Sequence, residues 1–335
     1  MSKFSFDVLQ RSVFPYVKSS DPDVLLGAGF GEDVALTRVG DDILASHVDP
    51  IVGAIGHIGS LAVQVACNDL AVSGVPPRWI LALVLVPRQE DEETLSRIMQ
   101  DINQVAKELN ISVIGGHTGY SAGLSRPLVA VTALGTLSGR KPVLTGGAKP
   151  GDHILVTKGI ALEGTAILAE DFADVALDLD LTDGDLQEGK GLGSLINVIP
   201  EALALADHGA TAMHDVTRGG LLETLLEMAH LSQAGFEVTV SRIPIHPVVS
   251  RFAQAFAFDP LRMISSGTIA AAVPADTVEQ ICEALHRLDV PVADVGRVIP
   301  GNGVTLIRDE GLEQVTELHC EDDELARMWS LYPRD

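Results

Sequence analysis

The chain has 335 residues, 46% of them hydrophobic, and a formal net charge of −23. That length suffices for two separately cored domains and the apolar content excludes a largely disordered chain; the acidic surplus, with no Lys/Arg run, excludes nonspecific attraction to nucleic acid or anionic membrane and leaves small ligands as the better fit. Cys67, Cys282 and Cys320 lie far apart without a CxxC pair, which argues against a disulfide framework or zinc cluster and for a cytoplasmic protein; residues 1–14 lack a basic-then-apolar leader, and no stretch reaches the roughly 18 apolar residues of a membrane span.

In chain order, 34–37 and 43–47 are predicted as short strands about the Gly40-Asp41-Asp42 turn. Residues 55–73 form an expected helix, mostly apolar at Ile58, Leu61, Ala62, Val65 and 67–70. A strand over 78–86 precedes an amphipathic helix over 91–109, opened by acids that suit its N-terminal dipole. Residues 111–114 read as a buried strand entering Gly115-Gly116, and 127–137 as another strand, a β-α-β-α-β-β order. The run 139–152 concentrates glycine, proline and cations and is the expected linker, dividing the chain into 1–149, 150–310 and a polar tail, 311–335. Beyond it, strands over 153–157, 236–240, 268–273 and 292–298 are expected, with helices over 164–170, 194–207, 219–232, 246–257 and 276–288. A second α/β domain follows from that alternation.

Three isolated carboxylates stand where apolar runs meet loops: Asp33 after Gly31-Glu32, Asp49 in His47-Val48-Asp49-Pro50, and Asp69 after Asn68. Magnesium takes a few hard oxygen ligands from separate loops, so the three suit one shared cation; singly, each suits a turn or helix cap. Asn68 ligates or orients in the first reading and makes a local hydrogen bond in the second. In Gly115-Gly116-His117-Thr118-Gly119, glycine lets backbone approach a phosphate and expose N–H groups. His117 there is either a phosphate or proton handler or a structural histidine. Lys158, at the end of a strand, either places an ammonium beside phosphate or lies on the surface.

The string His214-Asp215-Val216-Thr217-Arg218-Gly219-Gly220 is more specific, because a strand-to-helix turn with two glycines presents N–H donors at a helix's positive end. Asp215 then suits a metal shell, Thr217 a nucleotide contact, and Arg218 the charge of a transferred phosphoryl group; the alternative is an Asp/Thr cap with Arg218 in a salt bridge. No GKS or GKT occurs and no dinucleotide fingerprint is supported, so neither a P-loop nor a Rossmann site is expected.

Asn68-Asp69-Leu70-Ala71-Val72-Ser73-Gly74-Val75-Pro76-Pro77-Arg78 and Met213-His214-Asp215-Val216-Thr217-Arg218-Gly219-Gly220-Leu221 resemble the aminoimidazole-ribonucleotide-synthetase-like (PurM-like) ATP-binding superfamily over roughly residues 27–310. The nearest branch is the hydrogenase-maturation, HypE-like one. The resemblance implies a two-domain α+β and α/β fold: an N-terminal sheet domain that pairs with a second subunit, and a C-terminal α/β domain. It also implies Mg-ATP in the cleft, Asp33, Asp49, Asp69 and Asp215 as metal ligands, and Thr217 as a nucleotide contact; with the residue reading above, Asn68, Gly115, Gly116, Thr118, Gly219 and Gly220 complete the expected nucleotide-binding set. His117, Lys158 and Arg218 become the candidate catalytic residues, and the shared chemistry is transfer of the ATP γ-phosphoryl group to a small-molecule or protein-tail acceptor. A thiamine-phosphate-kinase-like enzyme and a non-catalytic nucleotide-binding maturation factor are the alternatives. The chain ends Tyr332-Pro333-Arg334-Asp335 where the hydrogenase-maturation enzymes end Pro-Arg-Ile-Cys, so carbamoyl dehydration on a terminal thiol is not the expected reaction.

Overall fold

The computed structural model describes residues 4, 6–52, 57–88, 91–317 and 323–333. After α1 (Phe6–Ser12), the first half of the chain forms β1 (Val24–Leu26), β2 (Ala35–Val39), β3 (Asp42–Val52), α2 (Ile58–Val72), β4 (Pro77–Val86), α3 (Glu92–Glu108), β5 (Ser112–Tyr120) and β6 (Leu128–Thr136). Its six strands lie in the order β1-β2-β3-β6-β4-β5, antiparallel except for β4 against β5. Strand alternation sorts the side chains. Ala45, Ile80, Ala82, Val84, Val129, Val131 and Ala133 are buried in one cluster with α2 and α3, whereas Val48 and Leu81 on the opposite face are exposed and Leu83, Leu85, Leu128 and Leu134 are half-buried.

The second half forms β7 (His153–Thr157), α4 (Leu162–Asp171), α5 (Ala173–Asp178), α6 (Asp183–Gly191), α7 (Ile199–Asp207), β8 (Ala212–Asp215), α8 (Gly220–Ser232), β9 (Gly235–Thr239), α9 (Pro247–Phe256), β10 (Ile269–Val273), α10 (Val278–Arg287), β11 (Val292–Ile299), β12 (Val304–Arg308), β13 (Gly311–Val315) and α11 (Glu324–Leu331). Seven strands run β13-β12-β9-β11-β7-β10-β8, with α8 packed in one core cluster and α7 and α10 in another. Helix α2 is wedged between the halves. Ala62, Ala66 and Leu70 pack with the first sheet, Ala71 and Val72 with the core under the second, which is why its sequence is apolar nearly all round.

Several expectations are corrected. The strand expected to be buried over 111–114 is exposed from Ser112 on, and β5 runs on through Gly115–Gly119 to Tyr120, parallel to β4. Gly116 has φ 147°, and a Cβ there would sit 1.9 Å from the Ala82 carbonyl oxygen, so the glycine serves a close approach between strands. The helix expected over 194–207 begins at Ile199, where Pro200 suits the first turn. The polar tail carries β13, which extends the second sheet, and α11, whose Trp329 ring meets Phe172 edge-on at 4.7 Å. Residues 55 and 56 of the expected first helix, and Cys320, lie outside the described residues.

Candidate functional site

Alternation along β3 puts His47 and Asp49 on the face that carries buried Ala45, beneath α2, because they pair with Ala133 and Val131 on the buried side of β6. Asp69 comes from α2, and His47 Nε2 lies 2.9 Å from its Oδ2. The other ring nitrogen, Nδ1, bonds the carbonyl of Asp33, in the loop before β2. The second half supplies His214 and Asp215 at the end of β8. His214 Nδ1 is 2.6 Å from the Asp215 carbonyl and 3.5 Å from Asp33 Oδ2, and Nε2 is 3.2 Å from Glu227 Oε2 on α8. One ligand atom from each of Asp33, His214 and Asp215 lies within 4.8 Å of the others.

Burial dominates the electrostatics. Loss of solvent raises the Asp69 carboxyl to about 8, with Asp215 and Asp33 adding repulsion and His47 opposing. The same burial raises Asp33 to about 6 against the pull of His214, and Glu32 beside it to about 7. Burial disfavours charge on His47, yet Asp69 overrides it and lifts the imidazole to about 10. His214 is likewise held well above its usual value, burial being outweighed by Asp33, Asp215 and Glu227. The cluster therefore keeps protons at neutral pH because it has more carboxyls than a dry site can ionise. Asp215 is the sharpest case: it is fully buried, and neither carboxylate oxygen accepts a hydrogen bond among the described residues. A buried acceptor pair of that kind is satisfied by a cation, which the neighbouring oxygen donors of Asp33 fit by type.

Asp33, Asp49 and Asp69 line a cavity of about 500 Å³ together with Thr217 and Arg218, so the acids of the first half and the turn before α8 meet there. Its further walls are Glu163 and Ile167 of α4, Arg126 in the β5–β6 connection, and Leu325 and Trp329 of α11. Gly219 caps α8 with φ 79°, and a Cβ on Gly220 would lie 2.5 Å from the Leu261 carbonyl oxygen; these glycines let α8 start against its neighbours.

Other expected site residues stand elsewhere. Asn68 is fully buried, donating from Nδ2 to the Ile196 carbonyl at 2.8 Å and accepting at Oδ1 from the Val198 N–H at 3.0 Å, so it ties α2 to the approach to α7 rather than facing the cavity. Lys158 is also internal: its ammonium lies 2.5 Å from Glu201 Oε1 and donates to the Leu195 and Asn197 carbonyls. That engagement replaces the phosphate contact expected of it. Gly115, Gly116, His117 and Thr118 lie on β5, separated from β3 by β6 and β4, or roughly 14 Å at the usual strand spacing. Within one protomer they do not line the cavity. His47, His214, Glu227 and Glu163 were not singled out as site residues. His47-x-Asp49 and the contiguous His214-Asp215 were the available signals for the two histidines; Glu227 and Glu163 sit mid-helix and gave none.

Residues 31–137 match the N-terminal domain, and residues 149–309 the C-terminal domain, of the AIR synthase related protein family. A putative hydrogenase expression/formation protein of Methanocaldococcus jannaschii is 30% identical over 270 residues, covering 76% of this chain and 75% of that protein. The carbamoyl dehydratase HypE of Escherichia coli is 26% identical over 285 residues, 82% and 80% of the two chains. A crystal structure of hydrogenase maturation protein HypE in complex with ATP superposes with a TM-score of 0.70 at 22% identity, covering 90% of this chain and 92% of that one, which is a likeness of fold.

Proposed function

This chain belongs to the AIR synthase related family, with the two-domain PurM-like fold of its HypE relatives, and from that premise we propose that it binds Mg-ATP in the cavity and transfers or hydrolyses the γ-phosphoryl group. The observation that carries the reading is Asp215, a fully buried carboxylate whose oxygens accept no hydrogen bond among the described residues and whose Oδ1 stands 3.6 Å from His214 Nδ1, beside Asp33, which lines the cavity with Arg218 and the approach to a helix N-terminus. The ATP-bound HypE of the same fold supports the choice of nucleotide.

Asp33, Asp69 and Asp215 would hold magnesium, with Asp49 on the same wall; the ion would supply neutralisation of phosphate charge. Thr217 offers a hydroxyl and Arg218 a guanidinium to the polyphosphate, where the open end of α8 adds its N–H dipoles. His47 and His214, whose imidazoles the surrounding carboxyls hold above their usual value, would keep Asp69 and Asp33 in place. The chemistry asked of the protein is positioning and charge stabilisation rather than a nucleophile.

A homodimer through the exposed face of the first sheet is part of the reading. Leu81, Leu83, Leu85, Leu128 and Leu134 make that face apolar, and His117 pairs with Leu83 on it, so dimerisation would take His117 into the interface. Calorimetry of Mg-ATP with the native protein, Asp69→Asn and Asp215→Asn, with ADP assayed in the same samples, tests the site. Magnesium-dependent binding lost in both variants is expected; undiminished binding in both would sink the proposal.

A further inference from the structure

Helix α1 buries no side chain, and its seven residues fall short of the roughly 12 at which an isolated helix becomes marginally stable in water. Its described hydrogen bonds stay within the segment: Arg11 Nε donates to the Asp7 carbonyl, and the Val13 and Phe14 N–H groups donate to the Leu9 carbonyl. The ring contacts that join it to the rest of the molecule run through Phe6. That ring meets Phe30 edge-on at 4.7 Å between centroids and His230, in the last turn of α8, at 5.8 Å. Phe30 and His230 stand 6.0 Å apart, so the three rings form one cluster at attractive spacings. The turn at Phe30-Gly31 stands immediately before Glu32 and Asp33. Gly31 has φ 67°, and a Cβ there would come 3.0 Å from Leu231 Cδ1 and 3.5 Å from Glu227 Cβ, so the turn is seated directly on α8. Glu227, His230 and Leu231 share one face of that helix by their spacing. The same face reaches His214 through Glu227, and the other edge of His214 looks at Asp33. Asp33 is therefore held by His47 at its carbonyl, by His214 near its carboxylate, and from upstream by the turn that Phe6 covers.

We propose that α1 is a strap and Phe6 a positioning residue: the rings of Phe6, Phe30 and His230 hold the loop that carries Asp33, so that docking of the N-terminal helix and occupancy of the cation site are coupled. The inference rests on the Mg-ATP reading for what Asp33 binds, whereas the hold on the loop stands on the ring geometry alone. A helix with no buried residue docks weakly, and the loop beneath it is then held for only part of the time. A ligand that needs Asp33 in place shifts the balance toward the docked form. Coupling of this kind is reciprocal, so the factor that docking contributes to affinity is returned by the ligand to docking. The attraction between rings limits that factor to about three- to tenfold.

The proton on His47 Nδ1, which bonds the Asp33 carbonyl, reports on the loop without any ligand and can be followed by NMR of the full chain carrying isotope-labelled histidine. In Phe6→Ala this resonance is expected to broaden or to exchange with water about threefold or more faster, by the same ring attraction. In Phe6→Tyr, which keeps the ring, it should stay as in the native protein. The thermal melt should be native in both variants, because no residue of α1 belongs to a core cluster. Calorimetry should show Mg-ATP binding about three- to tenfold weaker in Phe6→Ala, and saturating Mg-ATP should slow exchange of the native Val13 and Phe14 amides by a similar factor. An unchanged His47 resonance in folded Phe6→Ala overturns the proposal whether or not nucleotide binds, and so does a melt that falls together with the resonance, since Phe6 would then be part of the general packing. A responsive resonance with no Mg-ATP binding in the native protein removes the nucleotide function and leaves the strap. Nucleotide binding that ignores Phe6→Ala overturns the coupling while the Mg-ATP reading survives.

Discussion

Replacing Asn68 distinguishes a structural clamp from a nucleotide contact. In Asn68→Ala the Ile196 carbonyl loses a 2.8 Å hydrogen bond and the Val198 N–H a 3.0 Å one, both in the interior. Stranding each buried group costs about 1–3 kcal/mol, so the substitution should destabilise the protein by about 2–5 kcal/mol. Asn68→Asp, which still accepts from Val198 but turns an anion toward the Ile196 carbonyl, should be at least as damaging. Urea unfolding can be followed through the two tryptophans, because Trp79 lies on β4 and Trp329 on α11, one in each half of the chain. Loosening the tie between α2 and the segment before α7 should separate their transition midpoints, a departure from two-state behaviour. Mg-ATP affinity well below the transition should stay within about threefold of native, or 0.65 kcal/mol. If stability is unchanged while ATP affinity falls tenfold, Asn68 touches ligand and the clamp argument is wrong.

Lys158→Met should cost about 3–5 kcal/mol by leaving Glu201 buried without its cation, and the added Glu201→Gln should recover most of it; a loss of nucleotide affinity without a loss of stability would return Lys158 to the site. The acid cluster also sets a pH dependence. Asp33 and Asp69 are raised from 3.8 to about 6 and about 8, so the metal-free folded state binds more protons than the unfolded state across that window. Their contribution is present below pH 4 and is lost as pH rises through 6 to 8, and His47, raised from 6.5 to about 10, acts with the same sign higher up. Magnesium bound as proposed would compete for the same oxygens, so its affinity should climb over pH 6–8 and its binding should release protons, seen as a calorimetric heat that varies with buffer ionisation enthalpy. A buffer-independent heat would contradict the shifts.

The acids were legible in the sequence as a set rather than singly, since each alone suits a turn or cap: Asp69 in Ala66-Cys67-Asn68-Asp69-Leu70 and Asp215 after Met213-His214 are both buried. The alternation of strands and helices from β2 to β6 was equally readable from periodicity, whereas the three-residue β1 was not. His47 and His214 were in view but unassigned, since an imidazole becomes a counter-charge only through neighbours far off in the chain. The Gly115-Gly116 string misled for a physical reason: glycine before a phosphate and glycine against a neighbouring strand meet the same need for a missing Cβ. Lys158 failed likewise, because its partner Glu201 lies 43 positions away and on another element. Helix α11 was hidden by length. Leu325, Met328, Trp329 and Tyr332 keep a helical spacing, but a short amphipathic stretch after polar residues carries too little signal to stand out.

The cavity draws Asp33, Asp49 and Asp69 from one sheet's side and Thr217, Arg218 and Glu163 from the other's. No fragment containing a single half can then inherit the site, and a bound ligand acts as a rivet across the seam: its binding free energy is withheld from any state in which the halves have parted. Saturation should therefore raise the cost of partial opening more than it stiffens either half, so that any gap between the melting of the two halves, such as the one expected in Asn68→Ala, narrows. In such a chain the nucleotide would be a structural member while it is bound, and each product release would briefly restore the looser molecule.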